Sequence, residues 1–192
     1  MYELTNIDIN TMVFYATALL QILAETMREY PYSILFLLLI PFLRKKKRSA
    51  HAAYIKAADK ALLVLHTIKE PSHKITFLRN EVNPYVFEEM ILSALKKNGH
   101  KITRNLRYTG DGGIDGRAKI HGKKVIIQAK RYKSHINASD VQAFATECQR
   151  QKVSGLFVHT GKTGKLSRLH ASMARNIDII SGDRLIQLLS AR

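Results

Sequence analysis

The chain has 192 residues, with 31 lysines and arginines against 15 acids and a formal net charge of +16. This length allows one domain plus an appendage, and a single cysteine excludes an internal disulfide framework and zinc-finger spacings. Residues 1–43 hold one arginine against four acids, a net charge of −3, so the remainder carries +19. A field of that size favours polyanions, namely nucleic acid or an anionic bilayer.

The N-terminal region contains two apolar runs, Met12 to Ala24 and Tyr32 to Leu43. Each is shorter than the ~20 residues that span a bilayer comfortably. The basic cluster Arg44 to Arg48 follows at once and, by the positive-inside tendency, stays in the cytoplasm. We therefore expect a membrane anchor in residues 1–48, made of one tilted span or two short ones. The alternative is a buried helical hairpin of a soluble protein.

The segment that follows shows apolar side chains at helical spacing from Ser49 to Lys69, and Pro71 ends that pattern. We expect a helical linker over residues 49–80, packed on its own domain. Within it, the run Lys74 to Leu78 is interpreted as a short strand that leads into the next domain.

The domain expected over residues 81–192 begins with a helix. Asn83 is its predicted N-cap and Pro84 its first residue, and Asn98 with Gly99 predicts its end. One apolar stripe gives this helix a buried face, and it comprises Phe87, Ile91, Ala94 and Leu95.

Strands and helices then alternate to the end of the chain. We expect a strand over Lys101 to Tyr108, a hairpin around His121 and Gly122, and a helix opened by a capping box at Ser139 and Gln142. After them come Val153 to His159, a strand buried on both faces, a helix over Leu166 to Ala174, a strand over Ile177 to Ile180 and a helix over Leu185 to Leu189. The order α-β-β-β-α-β-α-β-α predicts an α/β fold with a central mixed sheet flanked by helices.

The two arms of the hairpin carry polar side chains where a plain core strand would not. Side chains alternate along a strand, so Gln128 and Lys130 should share one face of the second arm. On the first arm Asp115 should share a face with Arg117 and Lys119, opposite Ile114, Ala118 and Ile120. A carboxylate, an amide oxygen and an ammonium thus meet across one strand pair. The alternatives are an aspartate used for turn chemistry and a solvated strand lysine.

Asp115, a spacer of a dozen residues and then Gln128-Ala129-Lys130 resemble the Asp…(Asp/Glu)-x-Lys nuclease core. The closest resemblance is to the Mrr-type restriction endonucleases, whose second acidic position is commonly Gln. The likeness runs from about Val82 to the C-terminus and includes Phe87-Glu88. It implies a restriction-endonuclease-like fold and a Mg²⁺ ion held by Asp115, Gln128 and Glu88, with Lys130 as a fourth catalytic residue. Glu89 competes with Glu88 for the helical position.

The expected function is therefore a Mg²⁺-dependent endonuclease that cleaves double-stranded DNA in restriction of foreign DNA. Such an enzyme would be tethered to the membrane with its nuclease domain in the cytoplasm, and it would act as a homodimer for double-strand cleavage. A nuclease fold that binds DNA without cutting it is the first alternative. A scaffold that uses its basic face on anionic lipid is the second.

Two basic loops carry a weaker expectation. Gly161-Lys162-Thr163 has the wrong spacing from Gly155 for a Walker loop, although amides and cations before a helix suit a DNA phosphate. The segment from Arg131 to His135 is expected to contact the DNA backbone, a kind of contact that fixes position rather than sequence. A plain solvated loop is the alternative for the loop that contains Gly161 to Thr163.

Overall fold

A computed structural model of the protein describes residues 8–30, 32, 51–105 and 113–190. The chain divides into two compact units, Met1–Ala50 and His51–Arg192. Helix α1, Ile9–Glu29, is the element described in the first unit, and none of its residues is buried. In the described part of the chain, no helix combines the length and the apolar character needed to cross a bilayer. The second apolar run beyond Tyr32 and the basic cluster lie outside the described residues.

The second unit holds a five-stranded sheet covered by helices on both faces. Its order is β1-β2-β3-β4-β5, with β1, β2 and β3 antiparallel and β3, β4 and β5 parallel, which confirms the predicted mixed sheet and element order. The strands are β1 Lys101–Arg104, β2 Gly116–Ile120, β3 Lys123–Lys130, β4 Ser154–His159 and β5 Ile177–Ile180. The helices are α2 over residues 51–67, α3 Pro71–Asn80, α4 Pro84–Lys97, α5 Ala138–Gln151, α6 Lys165–Ala174 and α7 Gly182–Ser190.

Alternation along β3 and β4 divides the apolar side chains between two cores. The larger core joins Ile127 and Val158 to residues of α2, α3, α4 and α7. The smaller core joins Ile126 and Phe157 to α5. Helix α5 buries one apolar face, namely Val141, Phe144, Ala145 and Cys148. Because β4 is paired on both edges and covered on both faces, its predicted burial is confirmed.

Helix α4 begins and ends where the sequence predicts. The Asn83 side chain accepts a hydrogen bond from the Tyr85 backbone N–H at 2.9 Å, and Pro84 is the first helical residue. At the other end Asn98 is the C-cap and Gly99 adopts a φ of +82°, a conformation that glycine accepts without a Cβ penalty. The whole predicted stripe lies in the larger core.

Two predictions about local structure are wrong. Lys74 to Leu78 is not a strand but the middle of α3, where Pro71 stands in the first turn and starts the helix. The side chain of Leu78 packs in the larger core. Ser139 does not cap α5, because the helix begins one residue earlier at Ala138, with Asn137 as an N-cap that makes no side-chain capping bond.

A third error concerns the residues just before β2. Ile114 lies in the smaller core, whereas Ala118 lies in the larger core, so these two side chains do not share a face. The strand begins only at Gly116, and Gly113 has a φ of +77°. The strict alternation that governs β2 therefore does not extend back through Ile114.

Residues 51–80 are an integral layer of the second unit. Ala58, Leu62 and Leu65 from α2 and Leu78 from α3 are all buried in the larger core, each no more than 1% exposed. Removing a leucine side chain from water stabilises a fold by roughly 1.5–3 kcal/mol. The helix expected from Ser49 to Lys69 corresponds to α2 over residues 51–67, and both α2 and α3 pack in the same core as the strands.

Candidate active site

Asp115 lies at the entrance to β2, against the backbone of β3. Its N–H donates to the Ile127 carbonyl at 2.8 Å, and its Oδ2 accepts the Ala129 N–H at 2.6 Å. These two bonds flank residue 128 and fix the carboxylate beside it. A backbone N–H to a carboxylate is a charge-assisted bond, stronger than its neutral counterpart. The aspartate is therefore oriented toward β3 and does not cap a solvent-exposed turn.

Gln128 is buried next to that carboxylate, at 6% exposure. Its Nε2 donates to the Gly113 carbonyl at 2.7 Å. A Cβ on Gly113 would lie 2.4 Å from that nitrogen, so the bond requires glycine at this position. The amide oxygen Oε1 is buried and has no hydrogen-bond partner among the residues that the structure describes. A buried acceptor without a donor costs about 1–3 kcal/mol, which a cation ligand would offset.

Lys130 ends β3 on the same face as Gln128, two residues further on. Its Nζ lies 3.0 Å from Asp140 Oδ2 in the first turn of α5. The same carboxylate oxygen accepts a short hydrogen bond from the Tyr132 hydroxyl. Asp140 thus holds the lysine ammonium and the tyrosine hydroxyl at one point, at the carboxyl end of β3.

The pKa values of this group follow from the contacts. Burial raises the pKa of Tyr132, and the hydrogen bond and negative charge of Asp140 raise it further, so the hydroxyl stays protonated. Burial also raises the pKa of Asp140, but hydrogen bonds from Tyr132 and Lys130 outweigh it and hold that pKa below its usual range. Asp140 is therefore a carboxylate at neutral pH.

The two neighbouring glutamates of α4 lie in different surroundings. Glu89 is 1% exposed, with Oε2 at 2.6 Å from Arg104 Nε and Oε1 at 3.6 Å from His51 Nδ1. Arg104 also donates to the Ser93 hydroxyl at 3.0 Å. Glu89 is thus engaged in a buried ion pair that joins α4, β1 and the start of α2.

Glu88 lies half-buried on α4, four residues before Leu92. Residues four apart lie on one face of a helix, and the Leu92 side chain reaches to within 2.6 Å of the Cβ position of Gly116. This face of α4 therefore meets the chain next to Asp115. Glu89 is held by Arg104, and the metal-binding role of Glu88 stays a prediction.

The donors near Asp115 suit a hard cation. Carboxylate and amide oxygens are the ligands that Mg²⁺ takes in proteins, usually one or two of them, with water and phosphate completing the shell. Among the described residues, no group of three His, Cys, Asp or Glu side chains could hold a metal ion. A set of two acids and one amide is compatible with that finding, and the buried Gln128 oxygen, which lacks a partner in the described part of the chain, is compatible with a ligand.

Sequence reasoning missed Asp140 and Tyr132. Tyr132 stood in the predicted DNA-contacting segment, and Asp140 is the acidic residue in the first turn of α5. Both follow Lys130 within ten residues. An acid at a helix start directly after the strand that ends in Lys130 was the available signal.

Comparison with known proteins places this chain in a family. A model of the restriction endonuclease family, of the Mrr catalytic type, matches residues 79–189, which is more than half of the chain. The chain belongs to the Mrr-type restriction endonuclease family. The match includes all five strands and helices α4 to α6, and the resemblance read from the sequence is confirmed.

Two individual proteins are similar to this Mrr-type chain. It is 32% identical over 117 residues to the type IV methyl-directed restriction enzyme EcoKMrr of Escherichia coli strain K12, covering 57% of this chain and 38% of that enzyme. The chain thus spans well under half the length of this curated relative. A solved structure of the MspJI restriction endonuclease with a 27-mer oligonucleotide shows 20% identity and a TM-score of 0.43, over 55% of this chain and 27% of that one.

Proposed function

We propose that the protein is a metal-dependent endonuclease that hydrolyses phosphodiester bonds of double-stranded DNA and restricts foreign DNA. Homology to restriction endonucleases supports a nuclease that acts on DNA. The observation that carries the finer proposal is the buried amide oxygen of Gln128, which has no hydrogen-bond partner among the described residues. Gln128 lies in the strand whose backbone fixes the Asp115 carboxylate, and Lys130 follows two residues later in the same strand.

Asp115, Gln128 and Glu88 are the residues that would hold the metal, with Mg²⁺ as the ion of choice for this oxygen set. A divalent cation here supplies Lewis acidity and lowers the pKa of bound water. Asp115 contributes a carboxylate whose direction is fixed by the Ala129 N–H. Lys130 contributes a positive charge, placed by Asp140, that stabilises the negative charge developing on the phosphate oxygens.

Cleavage of supercoiled plasmid tests this proposal. The full chain should nick or linearise plasmid with Mg²⁺ or Mn²⁺ and be inactive in chelator. Asp115→Asn and Lys130→Met should each lower the rate by about 10²–10³-fold, the usual cost of removing a group that stabilises the transition state. Lys152→Met, an exposed lysine at the end of α5, is the matched control and should cut at the wild-type rate.

The rival function is a nuclease fold that holds DNA without cutting it. Gln128 favours this rival, because an amide in place of an acid removes one negative charge from the metal site. Binding of plasmid with no cleavage by any divalent metal would establish the rival and end the enzyme proposal. Methylated and unmethylated plasmid, tested side by side, would extend the comparison to the methyl-directed action that the name of the E. coli relative records.

We also propose that the N-terminal unit holds the protein at the cytoplasmic face of a membrane. Helix α1 supports this proposal, because its large apolar side chains are exposed, among them Phe14, Leu20 and Ile22 at 67%, 65% and 58%. Exposed apolar surface of this extent marks an interaction site. Full-length protein should sediment with the membrane fraction and a chain starting at residue 51 should not. Recovery of full-length protein in the soluble fraction would contradict the proposal.

Two nuclease sites are needed to cut both strands, and we propose that the protein acts as a homodimer on DNA. Mixing active chains with an excess of Asp115→Asn chains tests this. Double-strand breaks should fall more steeply than nicks as inactive chains are added. A parallel fall of the two products would contradict the dimer.

A further inference from the structure

Two loops that leave the sheet beside Lys130 are fastened to each other. Residues 131–136 follow β3, and residues 160–164 follow β4. The Tyr132 N–H donates to Thr160 Oγ1 at 3.0 Å, and that hydroxyl donates back to the Tyr132 carbonyl at 2.8 Å. Further along, the Lys162 N–H donates to the Ser134 carbonyl at 2.8 Å, and the Ile136 N–H donates to the Lys162 carbonyl at 3.1 Å. The parallel pairing of β3 and β4 thus continues past the strands.

The close approach of the loops depends on Gly161. A Cβ at this position would lie 2.4 Å from the Ser134 carbonyl oxygen and 2.8 Å from Tyr132 Cβ. Thr163 fixes the other end of the second loop, with its Oγ1 at 3.1 Å from Nε2 of the buried His159 and at 3.4 Å from Ser181 Oγ. The two loops therefore form one rigid element.

This element carries a row of basic side chains. We name as the basic ridge its exposed basic residues and the first exposed basic residues of α6, namely Lys133, His135, Lys162, Lys165 and Arg168. A β-bridge sets His135 directly against Lys162. None of the five side chains forms an ion pair with an acid in the described part of the chain, where the salt bridges involve other cations.

Arg131 lies next to the basic ridge in sequence, but its side chain is not exposed as those of the ridge are. It directs its guanidinium inward, where Nη1 donates a short hydrogen bond to the Arg79 carbonyl, and so it fastens the start of the first loop to the end of α3. Its neighbours in the ridge point to solvent. The ridge begins three residues after Lys130, and α6 adds the partial positive charge of its first turn.

We propose that the basic ridge binds consecutive backbone phosphates of the DNA strand as that strand leaves Lys130. This proposal rests on the proposed function, since it takes DNA as the ligand and Lys130 as the point of cleavage. Lysines on a rigid element suit phosphates at fixed spacing, and such contacts position the duplex without reading sequence. The ridge would thus set the register of the scissile bond.

Binding of a 20-base-pair duplex to the full chain in chelator, followed by fluorescence anisotropy, tests the ridge. The double variant Lys162→Gln/Lys165→Gln should weaken binding and reduce the slope of log K against log salt by about 1.8, the value for two lost phosphate contacts. Lys96→Gln/Lys97→Gln removes the same charge from the exposed end of α4. The chain enters β1 just after this end of α4, and Lys101 pairs through Lys119 with Lys124 near the start of β3, whereas Lys130 is the last residue of β3. This control should therefore keep the wild-type slope.

A second variant tests the fastening of the loops without changing charge. Thr160→Val keeps the shape of a fully buried side chain and removes both bonds to Tyr132. It should weaken DNA binding at least about threefold while circular dichroism and the salt slope stay near wild type. Wild-type binding by Thr160→Val, or an equal loss in the Lys96/Lys97 control, would overturn the proposal.

The outcome is separable from that of the proposed function, because no cleavage is measured. If the wild-type chain never cuts DNA but the Lys162→Gln/Lys165→Gln variant binds it more weakly than the control, the ridge proposal stands and the nuclease proposal fails. If the wild-type chain cuts DNA and the Lys162→Gln/Lys165→Gln variant binds it like wild type, only the ridge proposal fails.

Discussion

At the residue scale, Asp140 determines where the Lys130 ammonium lies. Its carboxylate holds that ammonium at 3.0 Å and the Tyr132 hydroxyl at the same oxygen. Asp140→Ala should therefore lower kcat by about tenfold, which corresponds to about 1.4 kcal/mol and to one charge-assisted hydrogen bond. Plasmid cleavage at saturating DNA measures the effect.

Two companion variants separate positioning from a merely structural role. Asp140→Glu keeps the charge and should recover part of the rate, and Asp178→Ala removes an exposed acid that pairs with Arg184 and should leave kcat unchanged. An Asp140→Ala chain that raises KM with an unaltered kcat would contradict the assignment, because the acid would then act on binding alone.

The adjacent glutamates of α4 should give opposite phenotypes. Glu89→Gln breaks an ion pair in which the side chain of the acid is 2% and that of Arg104 is 20% exposed. It should lower the free energy of unfolding by about 3 kcal/mol. Glu88→Gln should lower the cleavage rate and affect stability less. Denaturant unfolding and plasmid cleavage of both variants give the comparison, with Asp178→Asn, in an exposed pair worth at most about 1 kcal/mol, as the stability control.

Spacing in the sequence identified Asp115, Gln128 and Lys130 as candidates, since the faces of β3 follow from alternation alone. The acid in the first turn of α5 is visible in the sequence, but its contact with Lys130 is not predictable, because that contact depends on where the loop of residues 131–137 places α5 against the sheet. The error at Ile114 has a related cause. A glycine with positive φ at residue 113 turns the chain before the strand begins, and alternation fails there.

At the element scale, α2 and α3 belong to the core of the nuclease unit. A chain starting at residue 81 loses Ala58, Leu62, Leu65 and Leu78 from the larger core. At roughly 1.5–3 kcal/mol for each leucine, this loss approaches the whole stability of a domain. We expect that chain to be unfolded or aggregated, whereas a chain starting at residue 51 unfolds cooperatively. A cooperative transition at equal temperature for both would contradict the prediction.

The wrong prediction of a strand over Lys74 to Leu78 shows that a local pattern of side chains cannot always distinguish a strand from a helix. A run of five residues with isoleucine and phenylalanine fits a strand by propensity, and the same run fits a helix whose partners lie far away in sequence. Pro71 in the first turn and the contact of Leu78 with the larger core decide for the helix. Helix α4 was predictable because Asn83, Pro84 and Gly99 mark its ends in the sequence itself.

A substitution of Gly155 tests how closely β4 packs against α5. A Cβ at this position would lie 2.3 Å from Cys148 Sγ and 2.6 Å from Phe144 Cε1. Gly155→Ala should therefore destabilise the fold by about 1–3 kcal/mol, the usual cost of overpacking. Gly164→Ala is the control without overpacking, since nothing lies within 4 Å of its Cβ position. Its cost should stay below about 1 kcal/mol, because it changes only the N-cap of α6. Equal unfolding midpoints for the two variants would contradict this packing.

At the scale of the whole molecule, one buried histidine couples stability to pH. Burial lowers the pKa of His159 from 6.5 to about 4, assisted by the positive charge of Arg79 and opposed by a backbone bond to Gly161. Between these values the unfolded chain binds a proton that the folded chain excludes, so stability falls as pH drops from about 6.5 to about 4. Denaturant unfolding across this window should show a shallower loss for His159→Gln than for wild type, and identical slopes would contradict the assignment.

The uneven charge of the chain agrees with the DNA-binding surface proposed for it. Residues 44–192 carry the whole positive excess, and a field of this sign speeds the encounter with DNA and attracts duplex of any sequence. Discrimination between the scissile phosphate and other phosphates then depends on the few groups around Asp115 and Lys130.

The central claim is that Asp115 and Gln128 hold one divalent cation beside Lys130, and titration of Mn²⁺ into the full chain at equilibrium tests it most directly. The account predicts that wild type binds the ion, that Asp115→Asn binds it at least about tenfold more weakly, a loss of about 1.4 kcal/mol, and that Lys130→Met binds it at least as tightly as wild type. Equal affinity of wild type and Asp115→Asn for Mn²⁺ would contradict it.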